Sequence, residues 1–179
     1  MSTHVRRDGT PKSMLKIREY THKDVQALRR QVADLHEAMR VLDPSLPPVS
    51  EIIDTYFEYL LQTSKSSGGT FYLAEVDGEM IGYLCLFGLL SPSDPDEPPE
   101  PYSFVADLYV RPEFQRRGIG KALMETAEEH ARALGASNID LKILTPNKHA
   151  LAFYQALGYG PRILELRKPI RARGQSGSR

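Results

Sequence analysis

The residues best suited to chemistry fall in one short stretch, Gln115-Arg116-Arg117-Gly118-Ile119-Gly120-Lys121. Three cations and two glycines within seven residues suit a bound anion. Glycine lets an oxygen ligand approach the backbone closely, and arginine and lysine supply charge. The flanks strengthen this reading. Phe104 to Val110 is rich in β-branched and aromatic residues and reads as a strand, which Pro112 stops because it has no N–H to donate. Ile119, Leu123, Ala127, Ala131 and Leu134 then share one helical face, with Gly135 as the C′ residue. The first amides of such a helix lack intrahelical acceptors and sit at the positive end of its dipole. A phosphate or pyrophosphate site is expected. The bland reading is a tight strand-to-helix turn with solvated basic residues.

Two common phosphate motifs do not fit. A Walker loop needs glycine at 115 and Ser or Thr at 122, where this chain has Gln115 and Ala122. A dinucleotide fingerprint needs a third glycine at 123, where Leu123 stands. The stretch from Gln115 to Gly120 resembles instead the Q/R-x-x-G-x-G/A signature of the GNAT superfamily, the acyl-CoA-dependent N-acyltransferases. The lead-in Leu108-Tyr109-Val110-Arg111-Pro112-Glu113-Phe114 is similar as well. So is the downstream set of Asn147, Ala150, Phe153-Tyr154 and Leu157-Gly158-Tyr159. The resemblance runs from about residue 70 to residue 168.

That resemblance implies a set of roles. Backbone groups of Leu108, Tyr109 and Val110 would pair with the pantetheine of acetyl-CoA as another strand would. The Val110 amide would donate to the thioester oxygen. Arg116, Arg117, Gly118, Ile119, Gly120 and Lys121 would wrap the pyrophosphate. Asn147 would touch the cofactor, and Tyr154 would return a proton to the departing thiolate. The residues themselves leave alternatives open: Asn147 as a helix cap and Tyr154 as core. Asp107, a lone carboxylate inside the strand, is a candidate general base if burial raises its pKa, or a cap for a neighbouring loop. No histidine has a partner at metal-ligand spacing, and no metal is expected.

The elements that must position these residues read in order. Met14–Tyr20 is a strand. Thr21 and Asp24 form a capping pair before an amphipathic helix carrying Val25, Leu28, Val32, Leu35, Met39 and Leu42. A second helix follows Pro47-Pro48 and carries Ile52, Ile53, Tyr56, Phe57, Leu60 and Leu61 on one face. Residues 70–76 and 79–90 read as a hairpin around Asp77-Gly78. The second of these strands is apolar on both faces and so central to the sheet. Ser91 to Pro101 holds five prolines and four acids in eleven residues and reads as an exposed loop. After the strand–loop–helix come a strand at 138–144, a helix from Pro146-Asn147 through Leu157, and a last strand at 163–166. The class is α/β. The resemblance implies a single-domain GNAT fold at 14–168, a central mixed splayed β-sheet with helices on both faces. Residues 1–13 read as a flexible tail and 169–179 as a basic disordered one.

Bulk properties narrow the function. The 179 residues carry one cysteine, Cys85, which permits no intrachain disulfide and suits a reducing, cytoplasmic setting. Neither a membrane-length apolar run nor a signal core is present. Residues 31–161 carry nine basic and nineteen acidic side chains. That argues against nucleic acid and favours a cationic acceptor. The expected activity is transfer of an acetyl group from acetyl-CoA to a small or peptide amine through a ternary complex. The competing expectation is a non-catalytic acyl-CoA-binding regulatory domain. The resemblance leans towards a homodimer.

Overall fold

The computed structural model describes residues 14–170, so the tail read at 1–13 and most of that at 169–179 lie outside it. The chain divides into a unit ending at Asn147 and a unit beginning at Lys148.

The first unit is built on a five-stranded sheet in the order β1-β2-β3-β4-β5. The strands are β1 (Leu15–Glu19), β2 (Thr70–Val76), β3 (Glu79–Leu90), β4 (Tyr102–Val110) and β5 (Asn138–Leu141). The first four pair antiparallel and β5 joins β4 in parallel, so the sheet is mixed, as expected. Among the described residues, three α-helices belong to this unit: α1 (Val25–Leu42), α2 (Val49–Ser66) and α3 (Ile119–Ala133). Thr21 donates both its amide and its hydroxyl to Asp24, each at 2.8 Å, ahead of α1. Asp77 and Gly78 turn the hairpin with φ of 53° and 84°, the left-handed pair that a two-residue turn requires.

Period-two alternation along β3 separates the two faces. Tyr83, Cys85 and Phe87 join Phe71 and Leu73 of β2 against Leu28 and Val32 of α1 and Ile53, Phe57 and Leu60 of α2. Leu84 and Leu86 point to the face covered by α3, whose buried side chains are Ile119, Leu123, Met124, Ala127 and Ala131. Residues 81–88 are buried without a break, as a central strand covered on both faces should be. Each fully buried large apolar side chain in such a core contributes about 1.5–3 kcal/mol.

The second unit contains α4 (Lys148–Ala156), shorter at both ends than the helix expected from Pro146 to Leu157. The strand expected at 163–166 does not form. Ile163, Leu164 and Leu166 are 74%, 74% and 85% exposed, and the segment has no ladder partner among the described residues. Strand propensity needs a surface to pack on, and Pro161 and Pro169 remove donors at both ends. Likewise β5 ends at Leu141, short of the expected Leu144. Among the described residues no helix is long and apolar enough to cross a membrane.

Candidate functional site

Three features of β4 and the turn after it make the site. The first is a bulge. Val105 lies opposite Leu86 and Asp107 opposite Cys85, so Ala106 is an extra residue on β4. In an unbroken strand Asp107 would share the face of Val105, towards α3. The inserted residue turns it to the side of Cys85, under α1 and α2. There its carboxylate is 5% exposed. Its Oδ1 accepts from the Tyr56 hydroxyl at 2.8 Å and its Oδ2 from the Tyr83 hydroxyl at 3.0 Å. Burial raises the Asp107 pKa, while the two hydroxyls and His36 pull it down. Asp107 therefore caps no loop; it is a core carboxylate held by two tyrosines. Cys85, directly opposite, is fully buried, and burial pushes its thiol pKa well up.

The second feature is an unpaired edge. β5 pairs with β4 only from Tyr102 to Val105, while β4 continues to Val110. β5 itself ends there, and among the described residues no strand pairs with that edge of β4 beyond Val105. Strand geometry decides which backbone groups look out from that edge. The Arg111 amide donates to the Ile81 carbonyl of β3 at 2.9 Å. Antiparallel alternation then turns Tyr109 to β3 and Leu108 and Val110 to the opposite edge. Two of the three residues expected to meet pantetheine thus present N–H and C=O there, and Tyr109 engages β3. The Gln115 side chain donates to the Val110 carbonyl on this edge at 2.9 Å, tying the loop to the strand end.

The third feature is the loop itself. Arg116 has φ 61° and Gly118 φ 80°, two left-handed residues flanking Arg117. Gly118 stands at the N-cap of α3 with no side-chain cap, and the first helical bond runs from the Ala122 amide to the Gly118 carbonyl at 3.0 Å. The amides of Ile119, Gly120 and Lys121 therefore precede the hydrogen-bond ladder. A Cβ built on Gly118 meets nothing within 4 Å, so its glycine answers a backbone need or a ligand's approach, not crowding by the protein.

The cations divide. Arg116 is exposed, aimed by its unusual backbone. Arg117 donates to the Glu113 carbonyl at 2.7 Å and lies 5.2 Å from the Phe114 ring centre. Arg111 meets the same ring at 5.3 Å and pairs with Glu113 and Glu79. Arg117 thus braces the short turn at 112–114. Lys121 lies 3.5 Å from Glu125 on the exposed surface of α3.

Asn147 directly precedes α4, and its amide donates to the Leu144 carbonyl at 2.8 Å. Within the second unit Tyr154 is 8% exposed. Its ring meets Phe153 at 5.0 Å and Tyr159 at 5.7 Å, both edge-on.

Sequence reasoning missed the partners of Asp107. Tyr56 was read as part of an apolar helix face and Tyr83 as part of an apolar strand. The available signal was their hydroxyls: a buried tyrosine needs an acceptor, and Asp107 is an acceptor in need of donors. Glu75, on β2, is ion-paired with Arg18 at 2.5 Å.

The frame of the site is thus a mixed α/β sheet with a strand whose end leads through a glycine-and-arginine turn into a helix without a side-chain cap. This chain belongs to the acetyltransferase (GNAT) family, whose model matches residues 33–159. It is 31% identical over 105 residues to an uncharacterized N-acetyltransferase of Methanocaldococcus jannaschii, covering 58% of this chain and 43% of that protein. It is 36% identical over 58 residues to the thialysine N-epsilon-acetyltransferase of Caenorhabditis elegans, covering 32% of this chain and 36% of that one. Among solved structures, the aminoglycoside N-acetyltransferase AAC(6')-Iy in complex with CoA shares the fold with a TM-score of 0.64 at 20% identity. That match covers 89% of this chain and 97% of the neighbour. The chain spans about half the length of the first curated relatives it matches.

Proposed function

We propose that this protein binds acetyl-CoA and transfers its acetyl group to a primary amine. One observation carries the reading: the unpaired edge at Leu108 and Val110 runs, through the Gln115 contact, straight into the uncapped amides of α3. That continuous strip of donors and acceptors suits a ligand that is amide-like at one end and anionic at the other, as acetyl-CoA is. Family membership and a CoA-bound fold neighbour support it.

In this reading the Val110 amide donates to the thioester oxygen as negative charge grows there. Arg116, Gly118, Ile119, Gly120 and Lys121 hold the pyrophosphate, with Arg117 stiffening the turn, and Asn147 adds a cofactor contact. Asp107 serves as the base for the incoming amine, and Tyr154 protonates the leaving thiolate. Acyl transfer is direct, within a ternary complex. The acceptor is cationic, favoured by the acidic body and the Asp94, Asp96, Glu97 and Glu100 loop. Aminoglycosides and thialysine, named in relatives, are amines of that charge class.

The test is incubation with acetyl-CoA and a panel of polyamines, amino sugars, lysine analogues and peptides, with products read by mass. Acetylated amine formed with stoichiometric free thiol supports the reading. Binding of acetyl-CoA with no acetylated product across the panel would favour a non-catalytic acyl-CoA-binding domain.

A further inference from the structure

Asp107 poses a problem for any mechanism that uses it. At 5% exposure it has no direct access to an amine. Its two oxygens are both taken by hydroxyl donors. Those donors are not alike. Tyr83, on β3, is fully buried, its ring 6.2 Å from that of Tyr109. Tyr56, on α2, is only half-buried. Its ring stacks on Tyr59 at 6.4 Å, and Tyr59 is 52% exposed. His36 of α1 lies 6.4 Å from the Tyr56 ring on tilted geometry, with its Nε2 2.9 Å from the Pro47 carbonyl between the two helices. Tyr56 therefore sits between the carboxylate and the surface at α1 and α2.

A carboxylate in this core is also costly. An asparagine could pair with both hydroxyls, accepting at Oδ1 and donating at Nδ2, without the desolvation of a charge. The bulge that aims Asp107 inward is a second cost, and bulges recur beside active sites.

We propose that Tyr56 relays a proton from the acceptor ammonium to Asp107, while Tyr83 only holds the other carboxylate oxygen. This rests on the acetyltransferase reading. The ammonium gives one proton to the Tyr56 oxygen as the Tyr56 proton moves to Asp107 Oδ1. The freed amine lone pair attacks the thioester carbon. The C–N bond forms, the C–S bond breaks, and the nitrogen's second proton ends on the thiolate. The proton on Asp107 returns through Tyr56 to solvent after product leaves. The sum is one ammonium and one thioester giving one amide, one thiol and one proton.

The test is the pH profile of kcat and kcat/KM at saturating acetyl-CoA for the parent, Tyr56→Phe, Tyr83→Phe and Asp107→Asn, with acetyl-CoA affinity measured by calorimetry. The groups facing the carboxylate are His36 from α1, Tyr56 from α2, and Tyr83 and Cys85 from β3. His36→Gln should keep the acid limb but move it to higher pH, because His36 helps to hold the Asp107 pKa down. Tyr56→Phe should lower kcat about 10²–10⁴-fold at neutral pH. It should also remove the plateau above the acid limb, so that the rate keeps climbing with hydroxide, with acetyl-CoA affinity unchanged. Tyr83→Phe should move the acid limb and lower kcat less than tenfold. If Tyr56→Phe does not fold, Asp107→Asn carries the same expectation. Retention of the parental profile in Tyr56→Phe, or equal losses in the two tyrosine variants, overturns the relay and leaves the acetyltransferase reading standing. A parent protein that acetylates no amine overturns both.

Discussion

Gly118 and Gly135 bracket α3 with nearly the same backbone, φ 80° and 82°, and a Cβ added at either would meet nothing within 4 Å. Alanine at each position therefore carries the same penalty, that of holding an L-residue in the left-handed region, about 1–2 kcal/mol. For a domain of this size that is a fall in Tm of about 2–8 °C. Folding is thus not spared by substitution at Gly118, as its loop position alone suggests. Ligand binding separates the two variants. A methyl group at Gly118 would stand where the pyrophosphate must approach the backbone, and loss of one charge-assisted contact costs about 1.5–3 kcal/mol. Acetyl-CoA affinity should then fall about 10–150-fold in Gly118→Ala and stay at the parental value in Gly135→Ala. Calorimetry on both proteins, alongside thermal melts, reads all four quantities. Equal acetyl-CoA affinity in the two variants, with equal Tm losses, would refute the assignment of this loop.

Tyr154→Phe keeps the ring contacts with Phe153 and Tyr159 and removes only the hydroxyl. Its kcat should drop about 10²–10⁴-fold with acetyl-CoA affinity little changed, and an unchanged kcat with chemistry rate-limiting removes Tyr154 from the mechanism. Changing Asp94, Asp96, Glu97 and Glu100 to their amides should raise KM for a cationic amine at low salt. The difference should fade as the Debye length shrinks below its physiological value of about 8 Å; equal KM at every ionic strength removes the loop from substrate capture. At high pH the protein should lose stability, because Tyr56, Tyr72 and Tyr83 have pKa values raised chiefly by burial, that of Tyr72 to about 12. With folded pKa above unfolded, their contribution is intact below about pH 10 and is lost as pH rises beyond it, so Tyr72→Phe should show a shallower alkaline fall in Tm than the parent.

What could be read from the sequence follows from the range of the forces involved. Amphipathic period, capping pairs and glycine turns are local, so α1, α2, α3, the Asp77-Gly78 hairpin and the Gln115–Lys121 loop were legible. The central placement of β3 was legible because both of its faces are apolar. Long-range facts were not. Whether residues 163–166 form a strand depends on a partner edge, and the side to which Asp107 points depends on one inserted residue, Ala106, whose bulge leaves no mark in the apolar alternation. The separation of Leu108 and Val110 from Tyr109 required the β3 register. The Tyr56–Asp107–Tyr83 contacts join α2, β4 and β3 across 51 and 24 residues of sequence.

Amide hydrogen exchange, resolved residue by residue by NMR with and without acetyl-CoA, tests the central claim most directly. Leu108 and Val110 face the edge of β4 beyond the end of β5, whereas Tyr109 is turned to β3, so the ligand should protect alternate residues of one strand. Protection should rise at Leu108, at Val110 and at Ile119, Gly120 and Lys121 of α3, and stay unchanged at Tyr109. Protection that leaves Leu108, Val110 and the α3 amides untouched, or that rises equally at Tyr109, would contradict the placement of acetyl-CoA along this edge and loop.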